Sequence, residues 1–261
     1  MTPIISFMLA NYAARPLDYH AESWSQAEQA TSAYFKPIKT FGKRFDKYLR
    51  DVTGQGFKAV DLWQPMLDYR WISDDHLEIA LDLLDEYDLE IVSFGGWLGA
   101  TEDQFEANCE IATEFNAPLV VGNTTAPRAF VIDALDKFGL RWAYENEQEK
   151  TPEAILAQIG KNPLIGICAD TGWFATHGYD AADALRQLAP RLMHVHLKDV
   201  LRVGTHESCR YGQGIVPLER CVRVLQETGY TGAISVEHET AAFDPSDDCR
   251  ASLERLQSWL P

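Results

Sequence analysis

Basic residues, cysteine pairs and long apolar runs are all scarce in this chain. Its 261 residues carry 23 Lys and Arg against 39 Asp and Glu, a formal net charge of −16. Phosphate backbones and anionic lipid surfaces are held by clustered Lys and Arg, so the deficit argues against nucleic-acid and membrane-surface partners. The five cysteines (109, 168, 209, 221, 249) are scattered, and no two share CxxC spacing. This excludes a zinc ribbon or a disulfide scaffold and fits a reduced, intracellular protein. No stretch approaches the ~20 apolar residues of a membrane helix. The N-terminal MTPIISFMLANYAARP has only a short apolar run with no basic residue before it, and reads as a first strand rather than a signal peptide. The expected compartment is the cytoplasm. Also missing is a glycine-rich phosphate turn after that strand, where LANYAARP stands instead; a doubly wound nucleotide-binding sheet usually has one.

What the chain does have is an alternation. Short apolar runs fall at 4–9, 59–63, 90–94, 118–122, 140–145, 165–170, 192–197 and 233–237. Between them lie helical patterns at 45–57, 75–88, 103–116, near 127–138, 152–159, 180–189 and 217–229, with a last one at 246–260. In 75–88 and 103–116 apolar residues recur at i, i+3, i+4. Eight βα units imply a parallel sheet covered by helices, and at this length a (β/α)₈ TIM barrel, α/β in class, as a single domain over 1–261. The first connection, 11–40, is unusually long and holds Trp24, Tyr34 and Phe35. It reads equally well as a lid over the barrel mouth or as a packed surface excursion.

Alternate residues of a strand face opposite sides, so in a barrel one set meets the helices and the other the interior. In MHVHLKDV (193–200) Val195 and Leu197 suit the helix layer, which turns His194, His196 and Lys198 inward. The same parity puts Glu145 inward with Ala143, Asp170 with Cys168, and Glu237 with Ser235. Glu145, Asp170, His196 and Glu237 thus stand near the C-terminal ends of four successive strands, where barrel enzymes place their chemistry. Three converging carboxylates need a counter-charge, because buried like charges raise one another's pKa. One divalent cation would supply it, and oxygen-rich ligation with one imidazole suits manganese, magnesium, cobalt or ferrous iron better than structural zinc. His194, one layer deeper, fits a structural hydrogen bond better than ligation. Glu239 faces inward only if the strand continues that far.

At these residues the chain resembles the sugar phosphate isomerase/epimerase superfamily, the xylose isomerase-like barrels. The likeness runs from GFKAVDLW (56–63) onward and is clearest over 140–239. It rests on AYENE with Glu145 and Asn146, ADTGW at Asp170, HVHLKD at 194–199, GQG at 212–214 and GYTGAISVE at 229–237. The resemblance implies a metal held by Glu145, Asp170, His196 and Glu237, manganese foremost. It further implies a small carbohydrate substrate, Glu145 and Glu237 as the proton-transfer pair, and Arg210 as a contact to substrate oxygens. Relatives often form dimers or tetramers, so a homo-oligomer is an open expectation. Where many relatives carry a histidine this chain has Trp173, which weakens a simple ketose epimerase. Trp173, Trp97 and Trp63 are candidate platforms for a sugar ring, with His177 and Lys198 as polar contacts. The leading function is a metal-dependent isomerase or epimerase of a keto sugar or keto-cyclitol. The alternative is a lyase or dehydratase removing water or an aglycone from a 3-keto sugar or inosose. An abasic-site endonuclease, another branch of the superfamily, lacks the basic groove here. A non-catalytic sugar sensor would leave the carboxylate pair idle.

Overall fold

A computed structural model describes residues 3–260. Eight parallel strands close into a barrel in which each strand pairs with the next in sequence and the eighth returns to the first. The strands are Ile5–Met8, Ala59–Trp63, Glu90–Trp97, Val120–Asn123, Trp142–Glu145, Ile165–Asp170, Leu192–Leu197 and Ile234–Val236. The sequence-based strands overlap all eight. The third is longer than its apolar run because Gly95 and Gly96 continue the ladder into strand four. The backbones pass so closely there that a Cβ on Gly122 would lie 2.1 Å from Gly96 O, a position open only to glycine.

Among the described residues ten α-helices surround the barrel: α1 Trp24–Phe35, α2 Ile38–Gly54, α3 Asp74–Glu86, α4 Glu102–Glu114, α5 Arg128–Phe138, α6 Pro152–Ile159, α7 Thr171–Thr176, α8 Ala181–Leu188, α9 Leu218–Glu227 and α10 Ser246–Trp259. Several start at a side-chain cap that accepts an otherwise unpaired backbone N–H, as Ser23, Thr101, Thr151 and Asp180 do. Two helices stand where the sequence pattern gave none. One is α1, inside the long first connection; its Ala27, Thr31 and Phe35 are buried. The other is α7, a short turn capped by Asp170 itself. Among the described residues no helix is long and apolar enough to cross a membrane. All five cysteines are buried and free.

The strand parity holds. Trp142, Tyr144, Ile165, Ile167, Val195, Leu197, Ile234 and Val236 belong to the core between strands and helices. Full burial of Val195 or Leu197 contributes about 1.5–3 kcal/mol each. Ala143 and Cys168 belong instead to a separate small cluster with Val121 and Leu119. Next to it the barrel interior is polar. Asp61 accepts from Ser6 Oγ (2.5 Å) and Ser93 Oγ (2.6 Å) and also from Ser235 Oγ. His194 Nε2 lies 2.7 Å from Asp61 Oδ1 and 3.0 Å from Ser235 Oγ. All five residues are fully buried. His194 is thus tied into this buried network, and its ring also lies close to Cys168 and His196.

Burial works against ionisation of Asp61, but the facing His194 imidazole and the Ser235 hydroxyl outweigh it and hold the carboxyl below its usual range. A depressed folded-state pKa gives stability that is present above the unfolded value, about pH 4, and lost as pH falls below it. Asp61→Ala should lower stability by about 3–5 kcal/mol in urea titrations, because it strands a buried polar network. Asp61→Asn should flatten the acid limb of the stability profile relative to wild type. An unchanged acid limb would show that Asp61 is not ionised in the folded barrel.

Candidate active site

Each of the four inward residues sits where its strand delivers it to the C-terminal mouth. Glu145 and Asp170 are the last residues of strands five and six, His196 is the fifth residue of strand seven, and Glu237 follows strand eight. The strands are staggered, so these residues are not level with one another. Glu145 pairs with Cys168, Asp170 with His196, and His196 with Ser235. Such a stagger is the shear that barrel closure requires. Its result is a tight group of three, Glu145, His196 and Glu237, whose nearest donor atoms all lie within 4.8 Å of one another. Asp170 stands to one side of it.

His196 Nδ1 is 2.6 Å from Glu145 Oε1 and 3.4 Å from Glu237 Oε2. A neutral imidazole lone pair and a carboxylate repel at such a distance, so a proton or a cation belongs between them. Asp170 divides its labour. Oδ1 accepts from Gly172 N (2.6 Å) and Trp173 N (3.2 Å) at the start of α7. Oδ2 points inward and has no hydrogen bond, and Glu237 Oε2 likewise has none. Asn146 fixes Asp170 from behind by bonding to both its backbone N and its backbone O.

The counter-charge contributed by the chain itself is Lys198. Its Nζ lies 3.1 Å from Asp170 Oδ2, 3.2 Å from Glu237 Oε2 and 2.8 Å from Glu239 Oε2, with the side chain 2% exposed. The first two contacts are ion pairs not aligned as hydrogen bonds, so of the three carboxylates only Glu239 receives a hydrogen bond from Lys198. Glu239 therefore does face inward. Burial opposes ionisation of Asp170, yet Lys198 outweighs it and holds the carboxyl below its usual range. Burial pushes Glu237 well above its range despite His196 and Lys198. His196 is raised as well: burial opposes this, and Cys168, Glu237 and Glu145 overcome it. A group of this kind gathers protons when no other cation fills it.

Above these residues opens a cavity of about 600 Å³. Trp24, Trp63, Trp97 and Trp173 form its apolar walls, and Glu28, Glu147 and Glu239 its outer polar edge. Within residues 11–40, α1 buries Ala27, Thr31 and Phe35 and lends Trp24 and Glu28 to the cavity lining. Trp24 lies 5.6 Å from Trp63, ring to ring. Burial and the neighbouring Glu145 push Glu147 up to about 7.

Trp63, Trp97, Trp173 and Lys198 line this cavity together with Glu145, Asp170 and Glu237. His177 and Arg210 stand behind the lining. His177 Nε2 bonds to the Glu147 carbonyl at 2.8 Å. Arg210 is held by Asp248 of α10 at 2.6 and 2.8 Å, and Asp248 also meets His238 at 3.2 Å. The sequence reading missed His206. It stacks on Trp173 with ring centroids 3.7 Å apart and sits 3.1 Å from Lys198 Nζ. Burial and then the Lys198 ammonium push it down to about 3, so it is a neutral acceptor. Thus an imidazole does stand at the wall where Trp173 replaces one, contributed by a loop that has no periodic signal. Glu28 and Trp24 were missed for a similar reason: only the fold of α1 brings them to the mouth.

Lys198→Met should destabilise the metal-free protein by about 3–5 kcal/mol, since it leaves Asp170, Glu237 and Glu239 without a partner. Unpartnered carboxylates take up protons, so the loss should be larger at pH 8 than at pH 5.5 in urea titrations. A loss independent of pH would point to lost packing alone.

The profile of the Xylose isomerase-like TIM barrel family matches residues 49–259. An L-ribulose-5-phosphate 3-epimerase, UlaE, of Escherichia coli O1:K1 / APEC is 28% identical over 106 residues, 40% of this chain and 35% of that protein. The match thus spans about a third of the curated relative. The solved structure of a D-tagatose 3-epimerase-like protein superposes with a TM-score of 0.70 at 17% identity, covering 99% of this chain and 97% of its own. A xylose isomerase-like TIM barrel protein from Mycobacterium smegmatis, in complex with magnesium, gives 0.69 at 18% identity, with 99% and 96% covered. These two structures share the fold.

Proposed function

Because the chain belongs to the xylose isomerase-like TIM barrel family, we propose that it is a single-domain, metal-dependent isomerase or epimerase of a keto sugar or keto-cyclitol. The observation that carries this reading is the convergence of the Glu145, His196 and Glu237 donor atoms within 4.8 Å of one another, beside two buried carboxylate oxygens, Asp170 Oδ2 and Glu237 Oε2, that accept no hydrogen bond and meet Lys198 Nζ only as ion pairs. Buried polar atoms are rarely left so. The donor set fits a hard divalent cation, manganese first, then magnesium, cobalt or ferrous iron, held by Glu145, Asp170, His196 and Glu237. The chemistry supplied at such a centre is Lewis-acid stabilisation of the negative charge that develops on a substrate oxygen.

The rest of the reaction belongs to the chain. A carboxylate of the Glu145 and Glu237 pair takes the proton from the carbon next to the carbonyl, and the other returns one. Return to the opposite face gives an epimer, and return to the neighbouring carbon gives an isomer. Lys198 Nζ holds Glu237 and Glu239 in place. Trp24, Trp63, Trp97 and Trp173 offer ring faces to the apolar side of a sugar and keep water from the reacting carbon. His206 Nε2, 3.1 Å from Lys198 Nζ, is a second hydrogen-bond acceptor for the ammonium beside Glu239.

Purified without added metal, the wild type should contain about one divalent ion per chain, and a folded His196→Ala variant far less, by mass spectrometry. Ketoses and 3-keto glycosides incubated in deuterated water should gain deuterium next to the carbonyl with no other change in product mass. Glu145→Gln and Glu237→Gln should each slow that exchange by ~10²–10⁴-fold. Products lighter by water or by a freed aglycone would turn the assignment to the lyase. No exchange in a metal-loaded wild type, across the sugars tested, would overturn it.

A further inference from the structure

We propose that this site is built for an uncharged sugar and rejects phosphate esters, because its cavity offers carboxylates in place of a phosphate cradle. The inference deepens the sugar-enzyme reading above and rests on it. Three independent features of the mouth carry it.

The first is the lining. Glu28, Glu145, Glu147, Asp170, Glu237 and Glu239 face the cavity, against one ammonium, Lys198, and one neutral imidazole, His206. Among the described residues no arginine lines it. Lys198 is already within 3.2 Å of three carboxylates. A divalent cation at Glu145 and His196 would still leave carboxylates in excess. Two arginines outside the lining are also committed. Arg70 lies 2.8 Å from Asp68 Oδ1 through its Nε, and Arg210 is paired with Asp248.

The second is the place where barrel enzymes most often hold phosphate, the loops after strands seven and eight. The loop after strand seven does contain a nest of backbone donors, at GQG and just beyond. Here the protein's own carboxylate fills it. Asp199 Oδ2 accepts from Gly212 N (2.8 Å) and Gly214 N (3.1 Å), and Asp199 Oδ1 from Val216 N (3.1 Å). The fit leaves no room: a Cβ on Gly214 would lie 2.3 Å from Asp199 Oδ1. The loop after strand eight contributes Glu239, another anion. At the start of α7 the backbone N–H groups of Gly172 and Trp173 are likewise taken, by Asp170.

The third is what the same wall offers to a neutral ligand. Four tryptophans line the cavity, giving faces for the C–H side of a sugar ring. Carboxylates between them are good acceptors for hydroxyl groups. Asp170 and Glu237, whose buried Oδ2 and Oε2 meet Lys198 only as ion pairs, line this space. A hydroxyl-rich, uncharged molecule finds partners for both its faces and its edges here, whereas a phosphate dianion meets like charge, which suppresses its binding.

The test uses the intact, manganese-loaded protein and its own tryptophan fluorescence. D-fructose, L-ribulose and methyl 3-ketoglucoside are titrated beside D-fructose 6-phosphate and L-ribulose 5-phosphate. The neutral sugars should quench saturably and bind at least about tenfold tighter than their esters, a difference of about 1.4 kcal/mol. The gap should narrow in high salt, which screens the like-charge repulsion, and in Glu28→Lys. A phosphate ester that binds as tightly as its parent sugar overturns the inference, as does failure of every neutral sugar to bind. Deuterium exchange on the same sugars separates the two readings. Neutral sugars that bind without exchange would sink the isomerase assignment and keep the charge selection. Phosphate esters that bind and exchange would do the reverse.

Discussion

Lys198 Nζ sits within 3.2 Å of three carboxylates, Asp170 at the end of strand six and Glu237 and Glu239 just after strand eight, with almost no access to solvent. Closing a sheet into a barrel forces this meeting, since every second residue of every strand must point to one axis. Buried charge is tolerable only when it is paired. The mouth is therefore organised around the Lys198 ammonium on one side and, on the other, the cluster of His196 Nδ1, Glu145 Oε1 and Glu237 Oε2. Asp170 joins the two halves. One of its oxygens is spent on starting α7 and the other is kept for the interior.

The strand that carries Lys198 shows how a single segment satisfies several demands. Val195 and Leu197 lock it against the helices. His194 belongs to the Asp61 network one layer down, with its ring edge-on to His196 at 5.2 Å. His196 and Lys198 serve the mouth. Asp199 then turns outward to fill the backbone nest of the following loop. The polar residues of MHVHLKDV thus have four separate partners, and the apolar residues between them keep those partners in register.

Much of this was legible from alternation alone. The eight strands, the inward parity of Glu145, Asp170, His196 and Glu237, and the hydrogen-bonded place of His194 all follow from period two and the need to bury apolar residues. Four things did not follow. The stagger between strands separates Asp170 from the tight group of three, and strand shear is set by closure, not by any one strand's pattern. The helix α1 was hidden because its buried face is only Ala27, Thr31 and Phe35, too sparse for a strong helical period. His206 comes from an irregular loop, and only tertiary packing on Trp173 brings it to the cavity. Arg210 matched a motif position, but Asp248, delivered by the first turn of α10, holds it away from the lining.

The account stands on a cation bound between the strand ends, and the measurement that bears on it most directly is anomalous diffraction from crystals grown with manganese. It should show one strong peak inside the barrel mouth, ligated by Glu145, Asp170, His196 and Glu237, with Lys198 still hydrogen-bonded to Glu239. Full-occupancy density elsewhere, or a mouth filled only by Lys198 and water at saturating manganese, would contradict it.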